Sequence, residues 1–159
     1  MTDAAGAAGA ADGRAAGTMR IGILTISDLG VVGQRADTSG DAILDWAVAR
    51  GYDVVVRSLV ADETDRIAGK LARWADSNEV DVVLTTGGTG LTERDVTPEA
   101  TAAVLDREAV GIAEALRAAS GPSFPRAWLS RGRAGTRGKT LIVNLPGAPN
   151  GVQEGLAVL

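Results

Sequence analysis

The chain contains no histidine and no cysteine. Ser-His and Cys-His nucleophilic catalysis are therefore excluded, and so are disulfides and zinc sites built on imidazole or thiolate. The side chain that ordinarily titrates near neutral pH is missing altogether. A cysteine-free chain fits a reducing cytoplasm, and that location is expected. Aromatic residues are only 3% of a chain that is 45% apolar, so the core must be built from Val, Leu, Ile and Ala. A surplus of basic charge is lacking too. Sixteen Lys and Arg stand against twenty Asp and Glu, a net charge of −4, which argues against a nucleic-acid partner. No apolar run approaches membrane-spanning length, so no membrane association is expected. The first 18 residues are mostly Ala and Gly, interrupted by Asp3, Asp12 and Arg14, without the Leu-rich stretch of a secretory signal. They read as a disordered tail, and residues 19–159 as one domain.

What remains for chemistry is carboxylates, Lys and Arg, backbone amides and an oxygen-ligated Mg²⁺. Phosphoryl and nucleotidyl transfer suit that set, because there a protein mainly positions groups and neutralises charge.

From Arg20 onward, apolar runs alternate with helical periodicity. Residues 21–26, 53–59, 80–85 and 140–144 are short β-branched runs bounded by turn residues, as buried strands are. A capping box at Thr38-Ser-Gly-Asp41 opens a helix that places Ile43, Trp46 and Ala47 inward and stops at Gly51. Asp62 or Thr64 caps the next helix, with Ile67, Leu71 and Trp74 on one face. Thr97-Pro98 reads as N-cap and first helical position. That helix runs toward Ser120 with a break near Glu108. Residues 127–139 read as a hairpin or loop. A last helix starts near Asn150, its apolar spacing still running at Leu159. Strand–helix alternation predicts an α/β fold, three layers deep, with a mostly parallel central sheet between helices. Ligands in such sheets lie beyond the carboxyl ends of the strands, where Ser27, Asp28, Asp62, Thr86 to Gly90, and Asn144 to Gly147 fall together.

Within that edge, Thr85-Thr-Gly-Gly-Thr-Gly90 follows a strand directly. Its glycines would let backbone N–H groups face phosphate oxygens, with threonine hydroxyls as further donors. The same residues would also serve a tight turn needing positive φ. Asp95 lies just beyond, where a carboxylate would hold Mg²⁺ against phosphates or simply decorate a loop. Asp62 would equally well be an N-cap. Arg94, Arg131 and Arg133 are candidates to neutralise phosphate, or ordinary surface charge. Two other nucleotide motifs are absent. No G-x-G-x-x-G follows the first strand. The segment Gly132 to Thr140 mimics a P-loop but has five residues between Gly132 and Gly138 where four are required, and it precedes a strand.

Thr-Ile-Ser-Asp (25–28), Thr-Thr-Gly-Gly-Thr-Gly (85–90), Arg-Asp-Val-Thr-Pro-Glu-Ala-Thr (94–101), Leu-Ser-Arg (129–131) and Asn-Leu-Pro-Gly (144–147) occur in this order. The ordered set resembles the MogA/MoaB family of molybdenum-cofactor biosynthesis proteins, whose domain also occurs in gephyrin. The resemblance spans Arg20 to the end. It implies Mg²⁺-ATP-dependent adenylylation of molybdopterin, with release of pyrophosphate, by a homotrimer or a hexamer made from trimers, and a molybdenum-insertion protein as partner. It implies Asp62 and Asp95 as the catalytic, metal-holding pair. It further implies substrate contacts at Ser27, Asp28, Thr86, Gly87, Gly88, Thr89, Gly90, Thr97, Ser130, Asn144, Pro146 and Gly147. Leu91 stands where relatives often carry a small residue or Pro. A non-catalytic molybdopterin carrier of the same family is the alternative, and a different pterin or nucleotide enzyme on this domain is a second.

Overall fold

The computed structural model describes residues 17–159, so all but the last two residues of the expected tail lie outside it. Six strands form one sheet: β1 (Arg20–Ile26), β2 (Asp53–Val60), β3 (Val82–Thr86), β4 (Arg107–Glu108), β5 (Ala134–Arg137) and β6 (Thr140–Leu145). Their spatial order is β2-β1-β3-β6-β5-β4. The pairs β1–β2, β1–β3 and β3–β6 are parallel; β5–β6 and β4–β5 are antiparallel. The helices are α1 (Asp28–Val31), α2 (Thr38–Ala49), α3 (Thr64–Asp76), α4 (Thr97–Val104), α5 (Val110–Ser120) and α6 (Pro149–Leu156), with a 3₁₀ segment at Pro125–Leu129. The expected three-layer α/β arrangement is thus present.

Strand alternation sends each side chain to one of two apolar layers. Ile21 and Ile23, with Leu84, Val143 and Leu145, pack on Ile43 and Ala47 of α2 and Val152 and Leu156 of α6. Leu24, Val83 and Ile142 face the other way, onto Ile67, Leu71 and Trp74 of α3 and Ala100 and Val104 of α4. Fully burying each of these aliphatic side chains contributes roughly 1.5–3 kcal/mol, which compensates for the scarcity of aromatics. Trp74 is part of this core. Trp46, expected to be core as well, is only half-buried and stands edge-on to Tyr52.

Several local expectations change in detail. The N-cap of α2 is Asp37, whose carboxylate accepts from Gly40 N–H, so Thr38 opens the helix itself. The N-cap of α3 is Glu63, and no side chain caps that end. Asp62 is therefore not a cap. Val96, and not Thr97, is the N-cap of α4. The break near Glu108 is wider than periodicity suggested, because Arg107 and Glu108 pair with β5 as an edge strand. The stretch 127–139 does hold half of a hairpin, β5, turning through Gly138 (φ +56°) into β6. The P-loop mimic lies in that hairpin. Finally, α6 ends at Leu156, with Ala157 N–H bonded to the Gln153 carbonyl.

Candidate functional site

The chain leaves β1 for β2 on one side, and β3 then lies on the other, so a crevice opens past the carboxyl ends of β1 and β3. This is the position at which doubly wound sheets take ligands. A cleft of about 260 Å³ occupies it. Of the expected residues, it brings together Ser27 and Asp28 after β1, Asp62 after β2, Thr86 to Gly88 after β3, Asp95, and Gly147 after β6.

The turn after β3 is set by its glycines. Gly87 and Gly88 have φ of +97° and +69°, a region costly for residues with a β-carbon. A β-carbon at Gly87 would run into the Ile26 carbonyl oxygen, and one at Gly88 into Thr97 Oγ. The turn thus threads between β1 and α4. Gly87 N–H donates to the Leu145 carbonyl, and Gly88 accepts from Thr97 N–H through its carbonyl. Gly88 N–H takes no acceptor among the described residues, which leaves it for a ligand.

The acidic residues divide into two kinds. Asp28 is neutralised: Arg94 grips it in a bidentate pair at 2.9 and 2.8 Å. That guanidinium, joined by the N–H of Asp62, holds the Asp28 carboxyl below its usual range against the opposing effect of burial. Asp62 and Asp28 are locked reciprocally, each backbone N–H donating to the other's carboxylate at 2.9 and 3.0 Å. Among the described residues no cation pairs with Asp62. Burial pushes its carboxyl above the ordinary range, and repulsion from Asp28 and Asp95 adds to this; the Asp28 N–H and the more distant Arg94 oppose the rise only in part. Asp62 Oδ1 faces the Gly88 turn. Asp95 accepts from Thr92 N–H and Oγ through Oδ2 alone, at 3.0 and 2.7 Å.

Two carboxylates with spare oxygens and excess negative charge suit a hard cation that is otherwise ligated by water and substrate phosphates, the habit of Mg²⁺. Among the described residues no three acidic groups cluster into a self-sufficient metal cage. The donor set therefore fits a cation brought with phosphate.

The remaining expected residues do not border the cleft. Thr86, which does line it, spends its hydroxyl on the Pro146 carbonyl at 2.7 Å. Thr97 donates to the Gly87 carbonyl. Asn144 is buried and bonds Thr85, Thr101 and Arg133 N–H. Ser130 Oγ accepts from Gly132 N–H. Thr89 is buried, and Gly90 abuts Asp95. These residues build the frame of the turn. Arg131 belongs with them: its guanidinium donates to the carbonyls of Gly90 and Asp95 and pairs with Glu99. Arg133 pairs with Glu108, outside the cleft.

Sequence reasoning missed a further part of the lining: Arg35 just before α2, its N-cap Asp37, and Thr38 and Ser39 of its first turn. The signal lies in the sequence, since the helix after the first strand of a parallel sheet starts at the ligand edge.

Comparison with known proteins points the same way. Residues 22–159 match the family described as a probable molybdopterin binding domain. Molybdopterin adenylyltransferase of Helicobacter pylori is 42% identical over 141 residues, 86% of this chain and 79% of that protein. The Escherichia coli enzyme of the same name is 41% identical over 142 residues, covering 87% and 72%. The crystal structure of the molybdopterin biosynthesis enzyme MoaB of Thermus thermophilus superposes with a TM-score of 0.83 at 48% identity over 89% of each chain. With its three-layer fold, its glycine turn at the β1/β3 crevice and a match over nearly all its described length, the chain belongs to the molybdopterin binding domain family of molybdenum-cofactor biosynthesis.

Proposed function

We propose that this chain adenylylates molybdopterin at the expense of ATP and releases pyrophosphate, with Asp62 and Asp95 as its catalytic pair. The observation that carries the reading is the freedom of these two carboxylates. Asp62 caps no helix, Asp95 is held through one oxygen only, and both border one cleft beside the glycine turn. The kinship with adenylyltransferases supplies the reaction. An oxygen of the molybdopterin phosphate attacks the α-phosphorus of ATP, the bond to the β-phosphate oxygen breaks, and pyrophosphate leaves. The nucleophile is already ionised, so the absence of histidine is no obstacle.

Mg²⁺ held between Asp62, Asp95 and the triphosphate would offset charge on the leaving pyrophosphate. The protein's part is positioning. Gly88 N–H offers a donor to a phosphate oxygen, and the rigid turn admits the phosphate to backbone contact. Asp28, already neutralised by Arg94, orients Asp62 through its backbone N–H. Arg131 holds the segment that carries Asp95.

ATP consumption by the purified protein should depend on added molybdopterin, and turnover without it would overturn the proposal. Asp95→Ala should slow single-turnover adenylylation about a hundredfold. Asp62→Ala with Asp95→Ala should be little slower than the worse single variant, because both act on one ion. Strictly multiplicative losses would separate the two carboxylates.

A non-catalytic molybdopterin carrier is the second reading. What favours it is that the matching family is described by molybdopterin binding alone. Retained binding without turnover would select it.

The same reading extends to assembly. Residues 19–159 act as one domain within a cytoplasmic homotrimer or hexamer that passes its product to a molybdenum-insertion protein. Phe124, Trp128 and Leu129 are each more than half exposed around the 3₁₀ segment, apolar surface of the kind a second copy would cover. Light scattering should give three or six times the 16.2 kDa chain mass; a monomer at micromolar concentration would contradict it.

A further inference from the structure

The cleft that holds the two carboxylates is also lined by the first turn of α2, a twelve-residue helix. A helix start leaves orphan N–H groups and a partial positive charge. Here Asp37 takes Gly40 N–H, while the N–H groups of Thr38 and Ser39 find no acceptor among the described residues. The Asp37 carboxylate would repel an anion if left bare. It is not: Arg57 pairs with it at 2.9 Å, and Thr25 Oγ donates to it at 3.0 Å.

A second observation, independent of the helix end, concerns Ser39. Its residue is only 8% exposed and lines the cleft. Its hydroxyl nevertheless has no hydrogen-bond partner among the described residues, whereas the buried threonines of the neighbouring turn spend theirs on carbonyls. A hydroxyl on a residue more than nine-tenths buried, without a protein partner at the lining of an open cleft, is available to an acceptor on a ligand. Arg35, which also lines the cleft, makes no ion pair among the described residues, although Arg57 and Arg94 nearby both do.

We infer that the first turn of α2, with Ser39 Oγ, the Thr38 and Ser39 N–H groups and Arg35, is a second anion subsite of the cleft, built for a phosphate ester. It differs from the glycine turn in how charge is balanced. Asp62 and Asp95 border the turn after β3, so phosphate there needs a cation. The α2 wall supplies its own positive charge and needs none. Which ester it holds, the nucleotide's phosphate or the phosphomonoester of molybdopterin, rests on the adenylylation reading; that it holds phosphate does not.

The test follows backbone amide resonances of the full chain during titration with inorganic phosphate, without divalent metal. Thr38 and Ser39 should shift saturably, and Gly88 should stay still until Mg²⁺ is added. Ser39→Ala and Arg35→Gln should each weaken that binding about tenfold, the scale of one hydrogen bond to a charged group. ATP and molybdopterin are then titrated separately into both variants. A tenfold loss confined to ATP assigns the subsite to the nucleotide, and one confined to molybdopterin assigns it to the phosphomonoester. If Thr38 and Ser39 do not respond to phosphate, or both variants bind phosphate as the parent does, the subsite is refuted. A protein that passes the phosphate arm but never forms adenylylated molybdopterin loses the proposed reaction only.

Discussion

Asp62→Asn should cut adenylylation about a hundredfold or more while raising the melting temperature at neutral pH. The two effects have one cause. Burial and the neighbouring Asp28 and Asp95 lift the Asp62 carboxyl above its ordinary value of 3.8, so the folded state holds the charged form at a cost. An acid with a raised folded pKa adds to stability fully below its unfolded pKa, and the contribution is lost as pH rises through the folded pKa. At neutral pH the ionised group is therefore a burden. Asparagine keeps an oxygen for Asp28 N–H and removes the charge. A gain of about 1–3 °C is the expected size for a partly exposed group, and it should vanish well below the ordinary value of 3.8, where Asp62 is protonated in both states. The charge that burdens the fold is the one that would bind the cation. For the same reason Mg²⁺ affinity should fall as acidification reaches the raised Asp62 pKa, at a higher pH than an ordinary aspartate would give. Were Asp62 merely structural, Asn would leave the rate near normal. A calorimetric melt beside single-turnover rates reads both signs at once.

Much of this was legible from residue pattern because the pattern and the fold are governed by the same burial. Runs such as Ile21 to Ile26 had to be buried on both faces, and strands buried on both faces are parallel strands flanked by helices. Asp62 could be placed at the ligand edge, but not told from an N-cap, because capping depends on φ/ψ one residue away. Glu63 took that role and left Asp62 its reciprocal lock with Asp28. The hydroxyls of Thr86 and Thr97 read as phosphate donors because hydroxyl-rich turns often donate to ligands. Only tertiary geometry shows them bonded to the carbonyls of Pro146 and Gly87. The two-residue strand β4 was invisible for a plainer reason: two exposed charged residues, Arg107 and Glu108, carry no period, and their pairing is imposed by β5. The α2 wall was hidden behind a correct structural reading. Asp37-Thr-Ser-Gly40 starts a helix, and nothing local shows that the helix start also faces the crevice.

Gly88→Val should be the most damaging single change in the cleft. Sequence alone suggests a substitution that spoils phosphate binding and spares the fold, since the turn lies outside regular structure. The geometry says otherwise. Gly88 sits at φ +69°, and its would-be β-carbon meets Thr97 Oγ, a fully buried group whose hydroxyl holds the Gly87 carbonyl. The left-handed conformation costs a non-glycine residue roughly 1–2 kcal/mol, more when β-branched, and forced overpacking adds about 1–3 kcal/mol. Together these predict about 2–5 kcal/mol, or a melting temperature about 5–15 °C lower in a chain of this size. ATP affinity should be lost as well, because the displaced turn takes Gly88 N–H and the facing Asp62 Oδ1 out of register. A double-mutant cycle separates the two structural terms. Gly88→Ala combined with Thr97→Ala removes the clash but keeps the φ strain, so the pair should be less destabilised than the sum of its singles by about 1 kcal/mol. Additivity within error would mean that Thr97 does not press on the turn. A Gly88→Val protein that melted with the parent and bound ATP normally would show that the turn tolerates a β-carbon, and the account of how this loop admits phosphate would fall with it.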